Sequence, residues 1–285
     1  MAQPVIVGID DAPGMAEAVG WAADEARRRG TRLHLVHAWL PQPADTPEAA
    51  ANPAGRRAAE ELLARLAEGA SARQPGLAVS SAIVENGPRD ALESLSRTAE
   101  LLVLGRRGSG GFPELLAGST SLRLAADAAC PVVVVPESPA PRASGGVSVG
   151  VRGREAGEAL LTQAFEAAQR LGARLRVVHA WRNPLLLSRG HALPPVYEEG
   201  HIAAEQDRLL AEILAGWRPT YPDVPVELDA VRSGPAKRLV ELSATEQLLV
   251  VGRYGRVSGP VGRLGSVSQA VVHHAACPVE VVPMG

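Results

Sequence analysis

Residues 101–120 are LLVLGRRGSGGFPELLAGST, an apolar run of five residues followed by a glycine-rich loop. The apolar run is typical of a buried strand, and the closing GST is typical of the start of a helix. A strand that passes through such a loop into a helix indicates an α/β fold, in which ligands bind beyond the carboxyl ends of the strands. The loop is therefore either a connector that needs glycine for its turns or a loop that holds a ligand.

The chain contains this pattern twice. Residues 33–39 recur as 175–181, residues 86–108 as 233–255, and residues 117–137 as 264–284. Self-similarity over such long segments indicates a duplicated domain. We predict two homologous domains, 1–138 and 146–285, joined by a linker at 139–145 in a stretch rich in Pro, Ser and Gly.

The two copies differ in length. Equivalent residues are 142 apart at His37 and His179 but 147 apart at Gly105 and Gly252. Five additional residues therefore lie between these landmarks in the second copy. We expect them in residues 182–200, RNPLLLSRGHALPPVYEEG, which we interpret as a loop.

Strand and helix patterns alternate along each copy. In the first copy, short apolar runs predict strands at 4–9, 32–39, 78–85, 101–105 and 131–136. Helical spacing of apolar residues predicts helices at 14–30, 54–70, 88–99 and 119–129. The alternation predicts an α/β fold in which each domain has a five-stranded parallel sheet with helices on both faces.

The composition narrows the classes of function. The chain has 285 residues and a formal net charge of −2, so it lacks the basic field that recruits nucleic acid or an anionic membrane surface. No run approaches the roughly 18 apolar residues of a membrane span, and the first residues do not resemble a signal peptide. We expect a cytoplasmic protein that binds neither nucleic acid nor membrane, so any phosphate binding would be local.

The loop of the opening stretch has a defined spacing. Gly105, Gly108 and Gly118 follow the pattern G-x2-G-x9-G, and Ser119 and Thr120 come directly after the last glycine. Glycines allow a ligand to approach the backbone, and free N–H groups at a helix start attract anions. The second copy repeats the spacing at Gly252, Gly255, Gly265 and Ser266. The spacing favours a phosphate-binding loop over a simple connector.

The loop is not one of the common phosphate motifs. It lacks the lysine of a P-loop, and no G-x-G-x-x-G follows the first strand. Asp10 follows that strand instead, where its carboxylate can accept hydrogen bonds from ribose hydroxyls or cap the next helix. Arg106 and Arg107 flank the glycines and either pair with phosphates or stay solvated.

These motifs together resemble those of the universal stress protein family. The resemblance is carried by VGID in strand one, HAW after strand two, LLVLGRRGSGGFPELLAGSTS (101–121) and CPVVVVP (130–136), and it extends over nearly the whole chain as two tandem domains. It implies a Rossmann-like fold of the adenine nucleotide alpha hydrolase-like kind in each domain. It also implies binding of ATP, alone or with Mg²⁺, and a role in stress response and growth arrest that depends on nucleotide occupancy.

The resemblance further implies that the two domains form a pseudo-dimer, that chains pair into a homodimer, and that a regulatory protein partner exists. Two other functions stay open. One is slow ATP hydrolysis, and the other is a tandem scaffold in which one or both nucleotide sites do not function. No catalytic or metal-ligating residue is assigned from the sequence.

The resemblance also implies which residues hold the nucleotide. In the first copy they are Gly8, Asp10, Ala38, Leu104, Gly105, Arg106, Gly108, Ser109, Gly110, Gly118, Ser119 and Thr120. In the second copy they are Gly150, Ala180, Val251, Gly252, Gly255, Gly265, Ser266 and Val267. The two alanines would contact adenine through their backbone, and the glycine loops would hold the phosphates.

The copies depart from the family pattern after their first strands. Family members commonly have Asp-Gly-Ser there, whereas Asp10 is followed by Asp11 and Ala12. In the second copy Arg152 stands where the acid belongs. A guanidinium cannot accept a hydrogen bond from a ribose hydroxyl, so Arg152 would either contact a phosphate or block the pocket.

Overall fold

Two compact units make up the chain, one for each copy of the repeat. The structure is a computed structural model that describes residues 2–40, 53–108, 117–138, 145–153, 157–181, 196–253 and 264–284. The predicted linker, 139–145, lies outside the described residues except for Gly145.

In the first unit, strands and helices alternate as the sequence predicts. The strands are β1 (Val5–Ile9), β2 (Leu33–Ala38), β3 (Val79–Val84), β4 (Leu101–Gly105) and β5 (Val132–Val135). The helices are α1 (Met15–Arg29), α2 (Pro53–Arg73), α3 (Pro88–Ser96) and α4 (Ser119–Asp127).

The second unit repeats this order. Its strands are β6 (Val147–Gly150), β7 (Leu175–Trp181), β8 (Val226–Arg232), β9 (Leu248–Arg253) and β10 (Val279–Pro283). Its helices are α5 (Glu158–Leu171), α6 (Val196–Leu214), α7 (Pro235–Ser243) and α8 (Ser266–His274).

Both sheets have the same strand order and direction. The order is β3-β2-β1-β4-β5 in the first unit and β8-β7-β6-β9-β10 in the second. The neighbouring strands within each unit pair in parallel. The chain therefore reverses its direction of winding between β1 and β4, and between β6 and β9, which is where doubly wound folds bind ligands. The predicted fold class is confirmed.

Alternate residues of β1 face opposite helix layers, so the strand is apolar along its whole length. Val5 and Val7 pack into the core that β1 shares with α1 and α2. Gly8 faces the other way, because a Cβ on it would lie 2.7 Å from the side chain of Leu92 in α3. This two-sided burial gives a parallel strand its unbroken apolar sequence.

The predicted loop at 182–200 is wrong at its end. Helix α6 begins at Val196, so its first five residues fall inside the expected loop, and residues 182–195 lie outside the described part of the chain. Two prolines directly precede Val196, and proline is common at the start of a helix as well as in loops. Gly200, which lies within α6, is also more typical of a loop than of a helix interior, so the sequence does not show a clear helical pattern there.

Membrane insertion has no support in the helices. Throughout the described ranges, each helix is too short or too polar to cross a bilayer.

Candidate functional site

The strand–helix junction of the first unit is closed by backbone hydrogen bonds. The N–H of Gly118 donates to the carbonyl of Arg106 at 2.7 Å, and the N–H of Arg106 donates to the carbonyl of Val135 at 2.8 Å. The two ends of the glycine loop therefore meet beyond the end of β4. Ser109 and Gly110, which were predicted to bind the nucleotide, lie outside the described residues.

Gly118 is needed for space rather than for an unusual backbone conformation. Its φ is −69°, which any residue adopts. A Cβ at this position would lie 3.3 Å from the backbone nitrogen of Gly108 and 3.6 Å from the carbonyl oxygen of Arg106. The close approach of the two glycines brings the loop amides next to the start of α4.

Helix α4 begins without a side-chain cap. Gly118 is its N-cap and has no side chain that could accept hydrogen bonds from the first N–H groups of the helix. The hydroxyl of Ser121 instead donates to the carbonyl oxygen of Gly105 at 2.8 Å and fixes the helix to the end of β4. Ser119 and Thr120 therefore stand at a helix start that can receive an anion.

Asp10 lies close to this loop. Its Oδ1 accepts a hydrogen bond from the N–H of Ala12 at 3.1 Å. Its Oδ2 lies 3.1 Å from where a Cβ on Gly108 would stand. The alternative role as a helix cap is wrong, because Gly14 is the N-cap of α1. The carboxylate therefore shapes the turn after β1 and lies beside the glycine loop.

The arginines of the loop are held by acids and by burial. Arg107 forms an ion pair with Glu137, with 3.4 Å between Nε and Oε1. Burial lowers the pKa of Arg106, an effect that the charge of Glu137 opposes and that of Arg107 reinforces. Arginine nevertheless stays charged at neutral pH, so both can add positive potential near the loop.

Gly8 and Leu104 are inside the protein. Leu104 is 4% exposed, and a Cβ on Gly8 would lie 2.9 Å from its side chain. Gly150 of the second unit is in the same position against Leu239, at 2.9 Å. These two glycines let a helix pack closely on the sheet, whereas Ala38, half-buried at the end of β2, lies at the edge where ligands bind.

In the second unit the candidates line one cavity of about 620 Å³. Its walls include Gly150, Ala180, Val251, Gly252, Gly265, Ser266 and Val267, which are all the second-copy candidates inside the described residues. Gly255 lies outside them. The volume is within the usual range for small-molecule sites, about 300–1,000 Å³. Residues far apart in the sequence thus meet at the carboxyl ends of β6, β7 and β9.

The start of α8 repeats the geometry of α4. Gly265 is the N-cap and makes no side-chain hydrogen bond. The hydroxyl of Ser268 donates to the carbonyl oxygen of Gly252 at 2.9 Å. The sequence-based prediction missed Ser121 and Ser268, although both come three residues after the motif glycine and could have been found from that spacing.

The histidines at the ends of β2 and β7 each lie within hydrogen-bond distance of backbone groups through Nδ1. His37 Nδ1 lies 3.0 Å from the carbonyl oxygen of Ile9. His179 Nδ1 lies 3.3 Å from both the N–H of Gly153 and the carbonyl oxygen of Val151. His179 Nε2 lies 3.0 Å from Oε1 of Gln206. His179 and the exposed Arg152 both line the cavity.

Two parallel α/β units, each with a glycine-lined strand–helix junction, define a tandem Rossmann-like protein. The model of the universal stress protein family matches residues 1–136 and again residues 147–283. The chain belongs to the universal stress protein family.

Relatives match the chain over nearly their whole length. It is 36% identical to universal stress protein Rv2005c of Mycobacterium tuberculosis, with 96% of this chain and 95% of the relative covered. It is 37% identical to universal stress protein Rv2623 of the same organism, with 96% and 94% covered. The crystal structure of a universal stress protein from Archaeoglobus fulgidus has the same fold, with a TM-score of 0.72 at 16% identity, covering 99% of this chain and 98% of that one.

Proposed function

We propose that each unit binds an adenine nucleotide, ATP in the first unit, and that nucleotide occupancy regulates the protein in stress response and growth arrest. The phosphates would lie at the glycine loops and at the starts of α4 and α8. The adenine would lie against the backbone of Ala38 or Ala180. As the family resemblance implies, a protein partner would respond to the occupied state.

One observation carries the proposal. In the second unit a cavity of about 620 Å³ is bounded on one side by Gly265, Ser266 and Val267 at the uncapped start of α8, and on another by Ala180 at the end of β7. Uncapped N–H groups and the helix dipole favour phosphate at the first wall. Ala180 is half-buried, and its small side chain leaves room for the flat edge of a base at the second wall.

The first unit supports the same role through its loop. The amide nitrogen of Gly108 lies so near Gly118 that a Cβ would fill the space between them. Asp10 stands beside that loop, where a carboxylate can accept hydrogen bonds from ribose hydroxyls. The residues present therefore fit a nucleotide, and the loop arginines would add charge for its phosphates.

The test is calorimetric titration with ATP of two proteins, the unaltered full chain and its variant Gly265→Val. A Cβ at Gly265 would meet no atom of the described residues within 4 Å, so we expect the variant to fold, and its circular dichroism spectrum checks this. Its methyl groups would occupy the space where phosphates bind, so we expect binding in the second unit to fall at least about tenfold, or about 1.4 kcal/mol.

A matched control is Gly216→Val, because a Cβ there also meets no described atom within 4 Å and the residue is not among those that line the cavity. Its ATP titration should match that of the unaltered chain. Unchanged binding in Gly265→Val would remove the assignment of phosphates to α8. Measuring ADP release in the same samples distinguishes occupancy from turnover.

A further inference from the structure

We propose that the second unit binds an adenine nucleotide whose ribose carries a phosphate group, and that Arg152 pairs with that phosphate. This proposal rests on the proposed function, because it takes the 5′ phosphates to lie at the start of α8. It assigns the second unit a class of ligand that differs from the ATP of the first unit.

The strand order places Arg152 at the ribose. Strand β6 lies between β9, which leads to α8, and β7, which ends next to Ala180. Gly150 pairs with Val251 on one side and with Val178 on the other. Adjacent strands are about 4.8 Å apart, so phosphates beyond β9 and a base beyond β7 leave the ribose over the end of β6. Arg152 lies two residues beyond that end.

The chemistry at this position is reversed between the units. Asp10 in the first unit accepts hydrogen bonds, as a ligand with free ribose hydroxyls requires. Arg152 has only donors, arranged in a planar fork that matches phosphate oxygens. In dinucleotide-binding folds, an acid holds an unmodified ribose and an arginine accommodates a ribose phosphate. Arg152, in the position that Asp10 holds in the first unit, therefore favours a phosphorylated ribose in the second unit.

The walls of the second cavity suit this extra negative charge. Among the described residues that line it, the ionisable side chains are Arg152 and His179, and no carboxylate is present. His179 Nδ1 lies 3.3 Å from the backbone nitrogen of Gly153 and from the carbonyl oxygen of Val151, and its Nε2 lies 3.0 Å from Oε1 of Gln206. In the first unit, the carboxylate of Asp10 lies beside Gly108 and would repel a ribose phosphate.

The probes are adenosine 2′,5′-bisphosphate, adenosine 3′,5′-bisphosphate and ADP, each titrated into the ¹⁵N-labelled full chain. All three carry two phosphates and differ in where the second one sits. The amide signals of Ser266 and Val267 report binding in the second unit, and those of Ser119 and Thr120 report the first. Comparing the two bisphosphates decides which ribose hydroxyl carries the phosphate.

We expect one of the bisphosphates to bind the second unit about 10- to 100-fold more tightly than ADP, the range of a charged hydrogen-bonded contact. The first unit should favour ADP. Arg152→Asp should abolish the preference in the second unit, and Arg152→Gln should reduce it. Arg218→Asp, the same change of charge at an exposed residue outside the cavity, should leave it intact.

Three results would overturn the inference. If ADP binds the second unit as tightly as both bisphosphates, or if the preference is undiminished in both Arg152 variants, Arg152 does not select a ribose phosphate and the proposed function stands. If no nucleotide shifts the amides of either unit, the proposed function fails as well, and this inference fails with it.

Discussion

At the scale of single residues, the glycine before α4 lies close to the loop that it closes. A Cβ on Gly118 would press on the backbone nitrogen of Gly108 at 3.3 Å. Gly265 holds the same position before α8, where a Cβ would meet no atom of the described residues within 4 Å, and Gly255, the counterpart of Gly108, lies outside those residues. In the first unit glycine therefore lets two backbone segments touch, and in the second it lines the cavity.

We expect Gly118→Ala to weaken ATP binding in the first unit about tenfold. The added methyl group must displace the Gly108 amide, and overpacking of this kind costs about 1–3 kcal/mol. The amide signals of Ser119 and Thr120 during an ATP titration measure the effect. The control is Gly265→Ala, which changes the second unit only. If the first unit binds ATP equally well in both variants, the contact between Gly118 and Gly108 does not affect binding.

The buried serines of the two junctions give a second residue-scale prediction. Ser121 donates to the carbonyl of Gly105, the last residue of β4, at 2.8 Å, and Ser268 donates to that of Gly252, the next-to-last residue of β9, at 2.9 Å. Replacing Ser268 with alanine leaves that buried carbonyl without this donor, which should cost about 1–2 kcal/mol of unfolding free energy. Urea unfolding of Ser268→Ala measures it. The exposed Ser94→Ala should cost nothing, and an equal loss there would contradict the argument.

At the scale of elements, the two units hold their first pair of helices together differently. In the first unit, Asp24 of α1 accepts hydrogen bonds from Arg73 at 2.8 Å on both carboxylate oxygens and from Gln74 at 2.8 Å. In the second unit, Phe165 of α5 stacks on Trp217 and Tyr221, which follow α6, with ring centroids 5.5 Å and 5.0 Å away. One contact is polar and the other aromatic.

The polar contact makes the first unit sensitive to acid. Burial alone would raise the pKa of Asp24, but the hydrogen bonds from Arg73 and Gln74 outweigh it and hold the pKa below the ordinary value of 3.8. A depressed pKa stabilises the fold above the unfolded value and loses that effect as the pH falls through the folded value. The contribution is therefore complete at neutral pH.

We expect Asp24→Asn to lower the unfolding free energy by about 0.5–1 kcal/mol at pH 7, the range for a partly exposed ion pair. The difference between the variant and the unaltered chain should shrink as the pH falls below 3.8, because the carboxyl group then takes up its proton. Urea unfolding at a series of pH values measures it. A difference that stays constant down to pH 2 would contradict the assigned cause.

The sequence predicts the helices and strands far better than it predicts the contacts between them. Apolar runs and helical spacing locate β1 and α1 almost to the residue, because burial on a sheet face or a helix stripe leaves a periodic pattern. The start of α6 at Val196 was missed, since proline and glycine occur at helix starts and in loops alike. Pairings such as Asp24 with Arg73 leave no pattern, because residues 49 apart meet only in the fold.

At the scale of the whole molecule, the two units share one fold, but their proposed sites differ in the charge of one residue. Both units keep the strand order, the uncapped helix start and the serine that ties it to the strand. They differ at Asp10 and Arg152, which follow the central strand of each sheet. If the glycine loops hold 5′ phosphates in both units, as we propose, the residue beyond the central strand would decide which nucleotide each unit retains.

This difference leads to a prediction for the occupancy of the intact chain. In native mass spectrometry with ATP and the preferred adenosine bisphosphate together, the main species should carry one molecule of each. Asp10→Arg should shift it toward two bisphosphates, and Arg152→Asp toward two molecules of ATP, because each variant gives both units the same charge at the ribose. A chain that takes up two ATP molecules equally well in all three forms would show that this residue has no part in ligand choice.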